Sequence, residues 1–252
     1  MFIAGRGDPT PFEAWRGTIG ALLLHGFPGS PAEVRELGAY LAERGISVIA
    51  PLLPGHGRQP EALRGVRWSD WVQEAERARQ RLQEHCTSVL ALGLSAGAAL
   101  SLYLAGKSPL SGVVAVSPAV KLRNPLAPLL PLARLFLRWV VLGEDADLAD
   151  PTGPERQWYY TRAPASAVAE MYALLRAAWR AAARVDVPVL IFQGRRDGVL
   201  RPEGAEALLR RIPSAEKRLI WLERSGHNAL VDAERETVFR EAHAFIEAVA
   251  RR

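Results

Sequence analysis

Apolar residues follow two rhythms along this chain. Short, nearly continuous apolar runs near 19–24, 46–50, 89–92, 113–117, 188–192 and 218–222 read as strands buried on both faces. Between them, apolar positions recur at three- and four-residue spacing near 31–44, 69–85, 96–106, 202–211 and 232–251, as amphipathic helices require. Strand and helix alternate, which predicts an α/β protein built on a mostly parallel sheet with flanking helices.

The alternation fails between about 119 and 185. No strand pattern is visible there, and two apolar blocks around 126–142 and 171–183 are punctuated by proline. The stretch predicts a small helical cap, inserted after the strand ending at Val116 and covering the end of the sheet. Leu129, Leu130, Leu132, Leu135, Phe136, Trp139 and Val140 form its expected apolar face, with Leu135, Phe136 and Trp139 as the candidate ligand contacts. A membrane span over 125–142 is excluded, because Arg134, Arg138 and three prolines interrupt a segment barely long enough.

Composition narrows the reading. A chain of 252 residues, 49% hydrophobic, suits one domain with a sizeable core. The net charge of +5 invites a nucleic-acid partner, yet the arginines alternate with glutamates, as in Glu74-Ala75-Glu76-Arg77-Ala78-Arg79. That pattern is a solvated helix face, so no nucleic-acid partner is expected. Cys86 is the only cysteine and no secretory leader opens the chain, which together predict a reducing, cytoplasmic setting. His25, His56 and His85 lack metal-ligand spacing, so no metal is expected. Gly106-Lys107-Ser108 resembles the end of a phosphate loop, but Ser101 stands where that loop needs glycine. Arg6-Gly7-Asp8 matches an adhesion tripeptide by chance.

The chemistry concentrates in Gly93-Leu94-Ser95-Ala96-Gly97. This Gly-x-Ser-x-Gly stands after an apolar strand and before a small-residue helix, the context that makes it a nucleophile elbow. So tight a turn crowds its neighbours, and glycine at 93 and 97 with alanine at 96, 98 and 99 relieves the crowding. Ser95 is the candidate nucleophile.

A serine hydroxyl needs a base and an orienting acid, and on such a fold they follow in the order Ser, Asp or Glu, His. Only His227 and His243 lie beyond Ser95. His243 is mid-helix, whereas His227 sits in the loop Ser225-Gly226-His227-Asn228 after a strand, where open α/β sheets place chemistry. Among Asp145, Asp147, Asp150, Asp186, Asp197, Asp232 and several glutamates, Asp197 follows the strand at 188–192. Asp186 precedes that strand, and Asp232 fits the first turn of the last helix. Asp197 is therefore the candidate acid. The oxyanion donors are expected to be the backbone N–H groups of Ala96 and of Phe27. Phe27 lies in the loop His25-Gly26-Phe27-Pro28-Gly29-Ser30-Pro31, with His25 bracing that loop.

Taken together, the chain resembles the α/β-hydrolase superfamily, and within it the compact bacterial carboxylesterases and monoacylglycerol lipases. The resemblance spans nearly the whole length. It rests on the 25–31 loop, Pro51-Leu52-Leu53-Pro54-Gly55-His56-Gly57, Trp68-Ser69-Asp70-Trp71-Val72, the 93–97 elbow, Asp197 and Ser225-Gly226-His227. Ala98 departs from the second glycine common in related esterases, and alanine should fit there. The resemblance implies a single domain over 1–252 with its cap inside it, and, because too few residues precede the run at 19 for the superfamily's full N-terminal hairpin, a shortened sheet of about six to seven strands. It implies hydrolysis of carboxylic esters with short to medium acyl chains, monoacylglycerols among them, without metal or organic cofactor. No stable membrane insertion is expected, and the protein should be a monomer or homodimer. Other reactions open to the same triad are cleavage of thioesters, C–C bonds or peracids. A non-catalytic scaffold that binds a ligand is a further alternative.

Overall fold

The computed structural model describes residues 3–123, 137–142 and 147–252. Its central sheet has seven strands: β2 (Phe12–Ala14), β3 (Ile19–Leu24), β4 (Ser47–Ala50), β5 (Ser88–Leu94), β6 (Gly112–Val116), β10 (Val189–Gly194) and β11 (Lys217–Leu222). Their order across the sheet is β11-β10-β6-β5-β3-β4-β2. Every neighbouring pair is parallel except β2 with β4. The six longer strands are those the apolar runs predict. β2 is the seventh, and its three residues are too short to carry a period.

Successive residues of a strand face opposite sides, and β3 shows the result. Leu22 and Leu24 join one apolar layer, Ala21 and Leu23 the other, and all four are fully buried. The first layer packs under α2 (Trp68–Gln83), α3 (Ala96–Ala105), α5 (Ala165–Ala181) and α6 (Glu203–Arg211). The second lies under α1 (Ala32–Ala42) and α7 (Arg235–Ala250). α3 is buried along nearly all of its length, because alanine and glycine let it lie close against β5 and β6.

Between β6 and β10 the structure corrects the expected all-helical insertion. That stretch holds three short strands, β7 (Trp139–Val141), β8 (Trp158–Tyr160) and β9 (Arg162–Pro164), besides the short α4 (Gly153–Arg156) and α5. β7 pairs with β9, and β8 pairs with the N-terminal β1 (Ile3–Gly5), both antiparallel. The block at 171–183 is helical through α5, as expected. Leu129, Leu130, Leu132, Leu135 and Phe136 lie outside the described residues. No helix among the described residues is long and apolar enough to cross a membrane.

Candidate active site

The loops that leave the carboxyl ends of β3, β5, β10 and β11 converge over one edge of the sheet. Ser95 follows β5 with φ 54° and ψ −112°, a backbone conformation that L-residues avoid. Two glycines make the turn possible. A Cβ on Gly93 would lie 2.2 Å from the Gly97 carbonyl oxygen, and one on Gly97 would lie 2.1 Å from that of Leu24. The second contact presses the elbow against the loop after β3, where Phe27 sits. Ala98 is fully buried in this packing and fits.

The structure brings Ser95, His227 and Asp197 together. Nε2 of His227 lies 3.0 Å from Ser95 Oγ, and Nδ1 lies 3.0 Å from Asp197 Oδ2. A carboxylate only accepts, so Nδ1 carries the proton and Nε2 is left with a lone pair facing the serine hydroxyl. Asp197 is completely buried and saturated with donors. Its Oδ1 accepts the N–H groups of Val199 (2.9 Å) and Leu200 (2.7 Å), and Oδ2 also accepts the Gln193 amide at 2.9 Å. Burial pushes the Asp197 carboxyl towards protonation. The charge and hydrogen bond of His227, with Leu200 and Gln193, outweigh that push and hold it below the ordinary carboxylate range. Arg123 fixes the same loop by donating to the carbonyls of Asp197 (2.7 Å) and Leu200 (3.0 Å).

Ala96 follows Ser95 within the elbow, Phe27 lies on the neighbouring loop after β3, and both line the pocket with Ser95. Among the described residues neither backbone N–H has an acceptor, which leaves both available to a ligand oxygen. The loop that carries Phe27 is held at three points. Glu33 accepts the Gly26 N–H at 2.9 Å, His25 Nδ1 donates to the Gly26 carbonyl at 2.8 Å, and His25 Nε2 accepts the Leu53 N–H at 3.2 Å. The Phe27–Pro28 peptide is cis. His25 thus braces the loop as expected, and both its nitrogens are committed while it is neutral. Burial, then the neighbouring His56, keeps its pKa well below the usual imidazole value. Burial likewise pushes His56 down to about 4.

The pocket over Ser95 has a volume of about 180 Å³. Leu142, Tyr159, Tyr160, Val168, Met171 and Tyr172, all from between β6 and β10, form much of its wall. Trp139, an expected ligand contact, is absent from that wall. The guanidinium groups of Arg162 and Arg64 lie 4.2 Å and 5.0 Å from its ring centroid, and these cation–π contacts tie β7 to β9 and to the loop before α2.

Two aspartates differ from their sequence reading. Asp232 precedes α7 instead of entering its first turn. It is fully buried, and accepts the N–H groups of Ala149, Asp150 and Ala233 on Oδ1 and that of Gly226 on Oδ2. Asp147 accepts from Gly198 and His227. Neither role has a clear local signature, because most of the partners are remote in sequence. Among the described residues no cluster of three or more His, Cys, Asp or Glu side chains is placed to hold a metal ion.

A mostly parallel sheet with helices on both faces, and a serine on a strained strand–helix turn within reach of a carboxylate-bound imidazole, defines an α/β-hydrolase. The chain belongs to the serine aminopeptidase, S33 family, whose sequence pattern it matches over residues 21–234. It is 30% identical over 236 residues to a thermostable monoacylglycerol lipase of Bacillus sp. (strain H-257), covering 93% of each chain. It is 29% identical over 243 residues to a carboxylesterase of Bacillus subtilis (strain 168), covering 95% of this chain and 96% of the relative. A solved structure reported for the metagenome-derived lipolytic enzymes LipS and LipT superposes with a TM-score of 0.90 at 30% identity. That match covers 97% of this chain and 99% of the other.

Proposed function

We propose that Ser95, His227 and Asp197 are the catalytic triad of a carboxylic ester hydrolase, of the carboxylesterase and monoacylglycerol lipase type. The observation that carries this reading is the unbroken chain from Ser95 Oγ through both His227 nitrogens to Asp197, with 3.0 Å at each step. Ser95 attacks the ester carbonyl carbon while His227 Nε2 takes the hydroxyl proton, and Asp197 stabilises the resulting imidazolium. The oxyanion accepts from the N–H groups of Phe27 and Ala96, the latter at the start of α3 where the helix dipole favours negative charge. The tetrahedral intermediate collapses, the C–O bond to the alcohol breaks, and the imidazolium protonates the departing oxygen. Water, deprotonated by His227, then cleaves the acyl-enzyme.

The residues at 119–185 act as a cap on a chain that folds as one domain. Val168, Met171 and Tyr172 of α5 supply an apolar wall for a short to medium acyl chain, in a site dry enough to make the oxyanion donors effective. Trp139 contributes by fixing the cap, and Leu135 and Phe136 remain candidate acyl contacts. The reaction needs neither metal nor organic cofactor, since nucleophile, base and oxyanion donors are all protein groups. The protein works in the cytoplasm as a monomer or homodimer, on lipid-derived esters such as monoacylglycerols.

The test is hydrolysis of p-nitrophenyl esters and monoacylglycerols by the wild type and by Ser95→Ala. An aminoacyl p-nitroanilide is run alongside to keep peptide-bond cleavage in view. Ester turnover that disappears in the variant, together with phosphonate labelling of Ser95, supports the reading; turnover by Ser95→Ala within tenfold of wild type refutes it.

A further inference from the structure

Asp147 stands just before α4, far in sequence from both the acid and the base. A single carboxylate oxygen, Oδ2, accepts two backbone N–H groups: that of Gly198 at 2.7 Å and that of His227 at 2.9 Å. One belongs to the residue after the acid, the other to the base itself. The chain leaves room for this carboxylate on both sides. A Cβ on Gly226 would lie 2.3 Å from the Asp147 carbonyl oxygen and 2.7 Å from its Cγ, and a Cβ on Gly198 would lie 3.3 Å from Oδ2. The acid and base loops also meet directly, since a Cβ on Gly194 would fall 2.5 Å from the Ser225 carbonyl oxygen. Asp232 returns the tie from the other side by accepting from Gly226, Ala149 and Asp150.

We infer that Asp147 is a positioning residue for the triad, fastening the Asp197 and His227 loops to each other and to the inserted segment through two hydrogen bonds on one oxygen. The triad needs Asp197 and His227 in contact while Nε2 faces Ser95. That separation is set by two loops from adjacent strands, neither of which constrains the other covalently. A shared acceptor between their backbones removes the freedom that would let the imidazole swing. The inserted segment then cannot shift without dragging the base loop, so its placement and the triad geometry are linked.

The inference rests on the triad assignment, which phosphonate labelling of wild-type Ser95 checks separately by mass spectrometry. Asp147→Ala should lower kcat about 100-fold, the scale of a 1 Å misplacement, with KM within threefold. Its acid limb in the pH profile of kcat/KM should move to lower pH, because a loosened Asp197 contact stabilises the imidazolium less. Asp147→Asn keeps an oxygen in the place of Oδ2 and should restore kcat to within threefold with the wild-type profile. Gly226→Ala, which pushes Asp147 away and opens no cavity, should reproduce the loss and the displaced limb even if Asp147→Ala fails to fold. Wild-type kcat and pH profile in Gly226→Ala or in a folded Asp147→Ala overturn the inference, as does an Asn variant as impaired as the Ala one. Unlabelled wild-type Ser95 would instead bring down the triad assignment.

Discussion

His227 Nε2 points its lone pair at Ser95 Oγ across 3.0 Å, although 132 residues separate the two in sequence. The contact is available before any substrate arrives, because each partner is immobilised by something else. Ser95 is held by the elbow and its two glycines, and His227 by Asp197 through Nδ1. Preorganisation of this kind lets a weak nucleophile act at neutral pH without reorganising the site during reaction.

Replacing Asp197 by Asn should lower kcat by about 10⁴. An amide can present its NH₂ to Nδ1 and force the proton onto Nε2, so that the ring meets Ser95 with a donor. The N–H bonds of Val199 and Leu200 to the side-chain oxygen can persist, so the loop should stay in place. Asp186→Asn, at the opposite end of β10, should leave kcat unchanged. Steady-state kinetics on p-nitrophenyl butyrate compare the two, and an Asp186 effect as large as that at Asp197 would be fatal to the assignment.

Gly97→Ala should be far more harmful than its single methyl implies. The new Cβ would lie 2.1 Å from the Leu24 carbonyl oxygen and 2.5 Å from that of His25, both backbone atoms with no freedom to turn aside. Relieving the clash separates the elbow from the loop that carries Phe27, so the two proposed oxyanion donors move apart. The expected result is a loss of about 1–3 kcal/mol in stability and a kcat decrease of about 10²-fold or more. A thermal melt and single-turnover acylation measure each part. An enzyme with wild-type acylation would show that the two loops need not touch.

The sequence exposes what is locally encoded. The six longer strands of the sheet show as apolar runs, and the elbow shows because its glycines flank the serine within five residues. His227 and Asp197 follow because each lies just past an apolar strand. The three-residue strands β7, β8 and β9 stay invisible, since pairing with remote partners, such as Ile3 with Tyr160, forms them. Trp139 reads as one more apolar residue among leucines, and only the fold brings the guanidinium groups of Arg64 and Arg162 over its ring. The roles of Asp147, Asp232 and Gln193 are equally silent in sequence. The first two serve backbone N–H groups, most of them on distant loops, and Gln193 reads as an ordinary strand residue.

Stability should fall as pH drops below about 6.5, earlier than carboxylate titration alone would require. His25 and His56 are buried, with ring centroids 4.9 Å apart. The unfolded chain takes up their protons near pH 6.5, whereas folded His56 does so only near 4 and burial keeps folded His25 well below the usual imidazole value. In that window the unfolded state binds more protons, so each imidazole costs about 1.4 kcal/mol of stability per pH unit of acidification. Urea denaturation between pH 7 and 5 should show this slope, and His56→Asn should remove about half of it. Identical slopes for wild type and variant would mean that His56 is protonated in the folded state.

Chain-length selectivity should report on the wall that α5 contributes to the pocket. Each methylene buried against Val168, Met171 or Tyr172 adds up to about 0.8 kcal/mol, or about fourfold in kcat/KM, until the available space is filled. With a pocket of about 180 Å³, the rise should end within the short to medium chains. Val168→Trp takes up part of that space from the helix side and leaves Ser95, His227 and Asp197 themselves unchanged. It should shift the optimum to shorter acyl groups, leaving turnover of the acetate ester and the rate of phosphonate labelling near wild type. A series of p-nitrophenyl esters from acetate to decanoate measures both effects. Equal kcat/KM along the wild-type series would show that the acyl chain stays in solvent. An unchanged optimum in Val168→Trp, with Ser95 still labelled, would place the acyl chain away from α5.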